Sequence, residues 1–273
     1  MALQVSLSDN FFLVTGCILA SLICIGVQRF LKKTLQPRQY GYFRDIVLCG
    51  VWIILASWFG SFEERIIVCG AMLANTAGIA EQIYNDARWQ LLYPVIGALC
   101  AYFGPAVHYI RFPDEQYIYL TPMFYFIAGT LWFSFFPFIF RYIDEIPGLV
   151  GHVLAVTFVL MLAACIVTGQ KFFMALAGLM LLVGFWSRFG NIYRQAGKPL
   201  ASMWGILVAG TSIIGQSKGV VLSTILFLSF GLFAIPVIEI FFAFIKDLWS
   251  DSYLPEKDNN AGKIYKNMLN EGV

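Results

Sequence analysis

The sequence predicts an all-α fold, a polytopic transmembrane bundle of about nine spans with its N-terminus outside and its C-terminus in the cytoplasm. Three observations predict it. Apolar side chains make up 59% of the 273 residues and charged ones 12%, with a mean hydropathy of +0.75. A soluble domain carries roughly 25% charged residues, so this chain cannot cover a globular surface and a soluble enzyme is excluded. Apolar runs approaching the roughly 20 residues needed to cross a bilayer recur between charged or turn-rich breaks. The basic residues between those runs then alternate between a crowded side and a sparse one. A nucleic-acid-binding chain is excluded as well, because a net charge of +2 with no basic tract offers no phosphate-binding face.

The runs follow in order. Phe11–Gln28 comes first and is closed by Arg29, Lys32 and Lys33. It is not expected to be a cleavable signal peptide, because its basic residues follow it rather than precede it. Ile46–Gly60 is short, and Ile66–Ile83 ends before the polar Asn85–Arg88 stretch. Leu91–Ile110, the phenylalanine-rich Ile118–Phe140, Gly148–Thr168, Phe172–Phe189 and Pro199–Gly215 follow. Val220–Ile245 is the last run, long enough to tilt or to extend past the membrane, with Pro236 expected to kink it. Residues 1–246 thus read as one transmembrane helical domain and 247–273 as a polar cytoplasmic tail. The tail contains a short amphipathic stretch, Gly262–Leu269.

Counting Lys and Arg by connection tests this arrangement. One side collects 14: Arg29, Lys32, Lys33, Arg38, Arg44, Arg88, Arg141, Arg188, Arg194, Lys198, Lys246, Lys257, Lys263 and Lys266. The other collects 4: Arg65, Arg111, Lys171 and Lys218. A wrong number of spans would scramble this alternation, and the basic side is the cytoplasmic one.

The six cysteines form no CxxC pair and read as small buried apolar residues. His108 and His152 have no ligand-spaced neighbour, which argues against a Cys/His metal site. The high aromatic content reads as lipid-facing filler and interfacial belts. The polar residues that stand out fall on the cytoplasmic side. They are Pro37–Arg38, Glu81 with Asn85 to Arg88, Arg141 with Asp144 and Glu145, and Arg188 to Lys198. Glu239, apolar on both sides in IPVIEIFF, must face inward, since a lipid-facing carboxylate is costly.

The order of these loops resembles the polyprenyl-phosphate N-acetylhexosamine-1-phosphate transferases. That superfamily includes the phospho-MurNAc-pentapeptide translocase and the undecaprenyl-phosphate GlcNAc-1-phosphate transferase type. The resemblance runs from about Phe11 to Leu269. Pro37-Arg38-Gln39-Tyr40-Gly41 is similar to the family's PR-x-G-G, and Gly78-Ile79-Ala80-Glu81 to its G-x-D-D with one carboxylate lost and the other a Glu. The stretch from Phe138 to Leu149, FIFRYIDEIPGL, aligns with N-x-x-N-x-x-D-G-x-D-G-L. It keeps Asp144, Gly148 and Leu149, while Phe138 and Arg141 replace the asparagines, Glu145 the first Gly and Pro147 the second Asp. Gly184-Phe185 match the end of the family's seventh helix, and Gly197-Lys198 stand where a Gly-Asp is expected. Pro236-Val237-Ile238-Glu239 is similar to P-x-x-D, and no His follows His152 where the family has a His-rich loop.

The resemblance implies transfer of a sugar phosphate from a UDP-sugar to a lipid phosphate on the cytoplasmic face, with magnesium. The substitutions imply that this chemistry has gone. Magnesium takes hard oxygen ligands and phosphoryl transfer relies on its charge, yet the expected ligand Asp is a Lys here. The expectation is therefore a divergent, inactive member with no catalytic residue and no cofactor. Arg38, Arg88, Arg141, Arg194 and Lys198 would serve as lipid- or sugar-phosphate partners. It would bind membrane lipid and polyprenyl phosphate, pair with an active transferase paralogue or another envelope-synthesis protein, and reside in the bacterial inner membrane.

Two alternatives stay open. One is an active, divergent UDP-sugar transferase, with Asp144, Glu145 and Glu81 as catalytic candidates and Glu81, Asp144 and Glu239 around magnesium. The other is an unrelated transporter, against which stand the absence of an internal repeat and the placement of the polar groups at one face.

Overall fold

The computed structural model describes residues 2–34, 37–84, 86–105, 109–111, 117–145, 149–168, 172–186, 196–214 and 219–221. Among these residues the chain forms eight α-helices: α1 (Ala2–Thr34), α2 (Pro37–Phe59), α3 (Phe62–Tyr84), α4 (Leu92–Phe103), α5 (Pro122–Ile143), α6 (Leu149–Thr168), α7 (Phe173–Trp186) and α8 (Lys198–Ile214). Each overlaps one of the first eight apolar runs. A 3₁₀ turn, Ala87–Leu91, leads into α4, capped by the Asp86 carboxylate, which accepts from the Arg88 amide. Among the described residues three helices are long and apolar enough to cross a membrane, Phe62–Tyr84, Pro122–Ile143 and Leu149–Ile166, and the chain is a membrane protein of helical architecture. The ninth run and the tail with Gly262–Leu269 lie outside the described residues.

The structure departs from an all-helical reading at one end. The fourth and fifth runs are expected to be helical from Leu91 to Ile110 and from Ile118 onward. Instead α4 stops at Phe103, with Gly104 and Pro105 after it, and two short strands follow, β1 (Tyr109–Arg111) and β2 (Tyr117–Tyr119). They pair antiparallel with Ile110 opposite Ile118. A third strand, β3 (Gly219–Val221), pairs parallel to β1 where the ninth run is expected to begin. Tyr and Ile suit an extended backbone, and a hydropathy window does not separate such residues from the helix they adjoin.

The bundle is built around α8. Fourteen of its seventeen residues are buried, including Trp204, whose ring meets those of Trp52 and Phe158 edge-on at 6.2 and 5.7 Å. Helices α3 and α5 flank it, both antiparallel to it. Gly78 and Pro199 meet near one end of the α3–α8 seam and Ile67 and Gly210 near the other. A Cβ at Gly78 would lie 2.6 Å from the Pro199 Cα, and one at Gly205 would lie 2.7 Å from the Pro137 nitrogen in α5. Small residues allow backbones this close, which is how helices gain packing energy where lipid removes the hydrophobic drive. Helix α2 runs parallel to α8, with Trp52 beside Trp204 and Arg44 beside Ala196. Helix α4 is antiparallel to both α3 and α5, with Tyr93 against Phe138 and Ala101 against Gly129. Hydroxyls inside the bundle bond to carbonyls one turn back, as Thr211 does to Leu207 and Ser202 to Lys198.

Candidate functional site

These directions bring the start of α2, the end of α3, the start of α4, the end of α5 and the start of α8 to one end of the bundle. The polar residues gather there. Glu81 lies in the last turn of α3, buried to 4% side-chain exposure. Its Oε1 accepts three bonds: from Arg141 Nη2 at 2.6 Å, from Lys198 Nζ at 3.2 Å and from Gln90 Nε2 at 3.2 Å. Arg141, in the last turn of α5, is itself 11% exposed, and Lys198, the first residue of α8, is 56% exposed. One carboxylate between two cations leaves this group with an excess positive charge. The Arg141 guanidinium also lies 5.7 Å from the centre of the Tyr93 ring. The Tyr93 hydroxyl shares a hydrogen bond with Ser202 at 2.7 Å.

Among the described residues, three polar atoms in this group have no partner: Glu81 Oε2, Arg141 Nε and Arg141 Nη1. Buried polar atoms are normally paired, and each one left alone costs free energy. The unpartnered Nε and Nη1 of a buried guanidinium, beside a half-exposed ammonium, suit an oxyanion.

A second arrangement stands next to it. Asp144, the C-cap of α5, accepts through Oδ1 from the Ala196 amide at 2.6 Å and through Oδ2 from the Gly197 amide at 2.9 Å. Gly197 has φ +94°, a conformation that favours glycine. Arg44 Nη2 donates to the Ala196 carbonyl at 2.8 Å, and its Nε to Asp45 Oδ1 at 2.8 Å. Burial pushes the Asp144 carboxyl above the ordinary carboxylate range, while the two amide bonds and the Arg44 charge pull it back in part.

Of the residues singled out in the sequence, Glu81, Arg141 and Lys198 come together. Asp144 spends both oxygens on backbone amides. Glu145 is exposed one residue further on. Arg88 stands apart, 88% exposed, with its Nε 3.9 Å from Asp86. Arg38 belongs to α2, with its side chain outside the described part of the structure; Arg194 and Glu239 lie outside the described residues. Gln90, Tyr93, Ser202 and Arg44 were not among the sequence candidates for a binding role. Only Arg44 carries a signal, as one of two charges, Arg44 and Asp45, just before an apolar run.

Glu81 Oε1 already receives a guanidinium, an ammonium and an amide, while Oε2 has no partner among the described residues. Among the described residues no three His, Cys, Asp or Glu side chains cluster.

No protein-family model matches the sequence, and no curated protein matches it either.

Proposed function

We propose that this protein is a non-catalytic, membrane-embedded binder of lipid-linked phosphate. It would act as a partner or regulator of the sugar-1-phosphate transferases that load polyprenyl phosphate in bacterial cell-envelope glycan assembly. The observation that carries the reading is the buried Arg141 guanidinium, tied to Glu81 through one nitrogen and with its other two nitrogens unpartnered among the described residues, beside Lys198. A phosphate monoester presents several acceptor oxygens, and arginine and lysine are the side chains that hold such groups. A cation stands where the resemblance expects a metal-ligand aspartate, so the same end of the bundle is read as holding a phosphate without activating it.

The reading includes nine spans, an outside N-terminus, a cytoplasmic tail and residence in the bacterial inner membrane. Its support is that Arg44, Arg88, Arg141 and Lys198 sit on elements meeting at one end of the bundle, whereas Arg65 lies at the start of α3, the opposite end. Parallel α2, α4 and α8 against antiparallel α3 and α5 also fit a chain that crosses at each helix.

The test uses the full chain in lipid nanodiscs. Retention of a long-chain isoprenyl monophosphate is expected, with loss in Arg141→Gln, and no UMP is expected from a panel of UDP-sugars with magnesium. No retention by the unmutated protein would sink the binding reading. UMP release that disappears in Glu81→Gln would replace the non-catalytic reading with an active transferase.

A further inference from the structure

Asp144 has both carboxylate oxygens on consecutive amides, those of Ala196 and Gly197. Successive backbone N–H groups with one residue in the left-handed region form a concave nest for an anion. Here the anion in the nest is the protein's own carboxylate, supplied by the end of α5. The carbonyl of Ala196 is taken from the other side by Arg44 of α2. The peptide on which α8 begins is thus gripped through its donors by one helix and through its acceptor by another. Ala196 and Asp144 are both buried, so water does not compete strongly for these bonds.

The residue that follows directly is Lys198. Its side chain is long, half-exposed and rich in rotamers, and a loose helix start would let it swing into solvent. It instead reaches Glu81 at 3.2 Å. We infer that Asp144 is a positioning residue: by clasping the Ala196 and Gly197 amides it sets the start of α8 so that Lys198 stands over Glu81 and Arg141. This inference deepens the phosphate-binding reading and rests on it for its functional meaning, while the geometry it describes exists without a ligand. It gives Asp144 a role that requires neither metal ligation nor proton transfer, since each of its oxygens is engaged by a backbone amide.

Two measurements on the full chain in nanodiscs test it. The first needs no ligand: the rate at which an amine-acylating reagent modifies Lys198 is followed by mass spectrometry, with the other lysines as internal reference. Asp144→Asn is expected to raise that rate at least threefold, because the amide group puts an N–H donor where an amide N–H needs an acceptor. Glu81→Gln, which weakens the lysine's anchor directly, should raise it as well. An unchanged Lys198 rate in Asp144→Asn overturns the inference. If Asp144→Asn does not yield monodisperse protein, Arg44→Gln is read in its place with the same expectation and the same overturning result.

The second measurement is affinity for farnesyl monophosphate. Asp144→Asn and Lys198→Ala should each weaken binding several-fold, and the double variant should be no weaker than Lys198→Ala alone, since the first acts through the second. Additive losses overturn the inference. Absence of binding by the unmutated protein would fell the lipid-phosphate reading, and the acylation rates would still decide the positioning role.

Discussion

Arg141 and Glu81 are 60 residues apart in sequence, yet Nη2 of one lies 2.6 Å from Oε1 of the other, in a part of the bundle where both side chains are almost wholly buried. The pair ties the end of α5 to the end of α3, the two helices that flank α8. Removing one member of a buried ion pair strands the other charge and typically costs about 3–5 kcal/mol. Arg141→Ala is therefore expected to destabilise the protein by that order. Lys198→Ala should cost under about 1 kcal/mol, because that side chain is half in solvent and screened. Unfolding free energies in bicelles, compared between the two variants, check the ranking. Equal effects would show that the buried pair is not the stronger contact.

The glycines separate into those that hold helices together and those that do not. Gly205→Ala would put a Cβ within 2.8 Å of the Phe136 and Pro137 backbone, and backbone cannot turn aside. Gly78→Ala meets the Pro199 backbone in the same way. Both should lower the melting temperature markedly, at a cost of about 1–3 kcal/mol. Gly50→Ala has nothing within 4 Å of the added carbon and should be neutral or stabilising by up to about 1 kcal/mol. Thermal denaturation of the three variants side by side is the check.

Trp204 and Tyr93 test how aromatic weight is distributed. Trp204 is fully buried between Trp52 and Phe158, so Trp204→Ala should cost about 3–5 kcal/mol. Tyr93→Phe keeps the ring beside Arg141 and loses the hydroxyl's bond to Ser202 together with its polar contact to Arg141, each worth about 1 kcal/mol net. A Tyr93→Phe loss as large as that of Trp204→Ala would mean that the hydroxyl, rather than the ring, organises this end of the bundle.

Asp144 gives a pH dependence with a definite sign. Its carboxyl is held above the ordinary range, chiefly by burial, so the folded protein keeps this proton at pH values where the unfolded chain, near about 3.9, has released it. The stability linked to that proton is full below the unfolded value and is lost as pH rises through the folded one. The melting-temperature advantage of the unmutated protein over Asp144→Asn should then shrink as pH rises from about 4 through that window. An advantage that grew over the same range would mean that the two amide bonds and Arg44 outweigh burial.

The helices were legible because hydropathy reads each apolar run directly. Their lengths were less so. The run ending at Ile110 looked continuous, but Gly104 and Pro105 close α4 early and the apolar residues beyond them are extended. In the site, Glu81 is visible in the sequence as a charge near the end of an apolar run, and Arg141 and Lys198 as charges beside one. Their meeting was not, because Lys198 lies 117 residues from Glu81 and only the packing of α3 against α8 joins them. The Asp144 clasp was hidden for a different reason. Its partners are backbone amides, which every residue but proline carries, so no side-chain pattern announces them. Asn75, buried between Cys49 and Met203, went unremarked inside an apolar run for want of a charge.

Helix α8 has almost no surface left for lipid, and it carries Ser202, Thr211 and Ser212 along with two close-packed glycines. A segment of that kind gains little by entering a bilayer alone. Its gain comes from walls already standing, and in chain order those walls, α2, α3 and α5, are synthesised before it. On this packing α8 is a late segment that fills a slot formed earlier by α2, α3 and α5. A change that spoils the slot, such as bulk at Gly78 or Gly205, would register in the cell as α8 left outside its place, and so as lost yield.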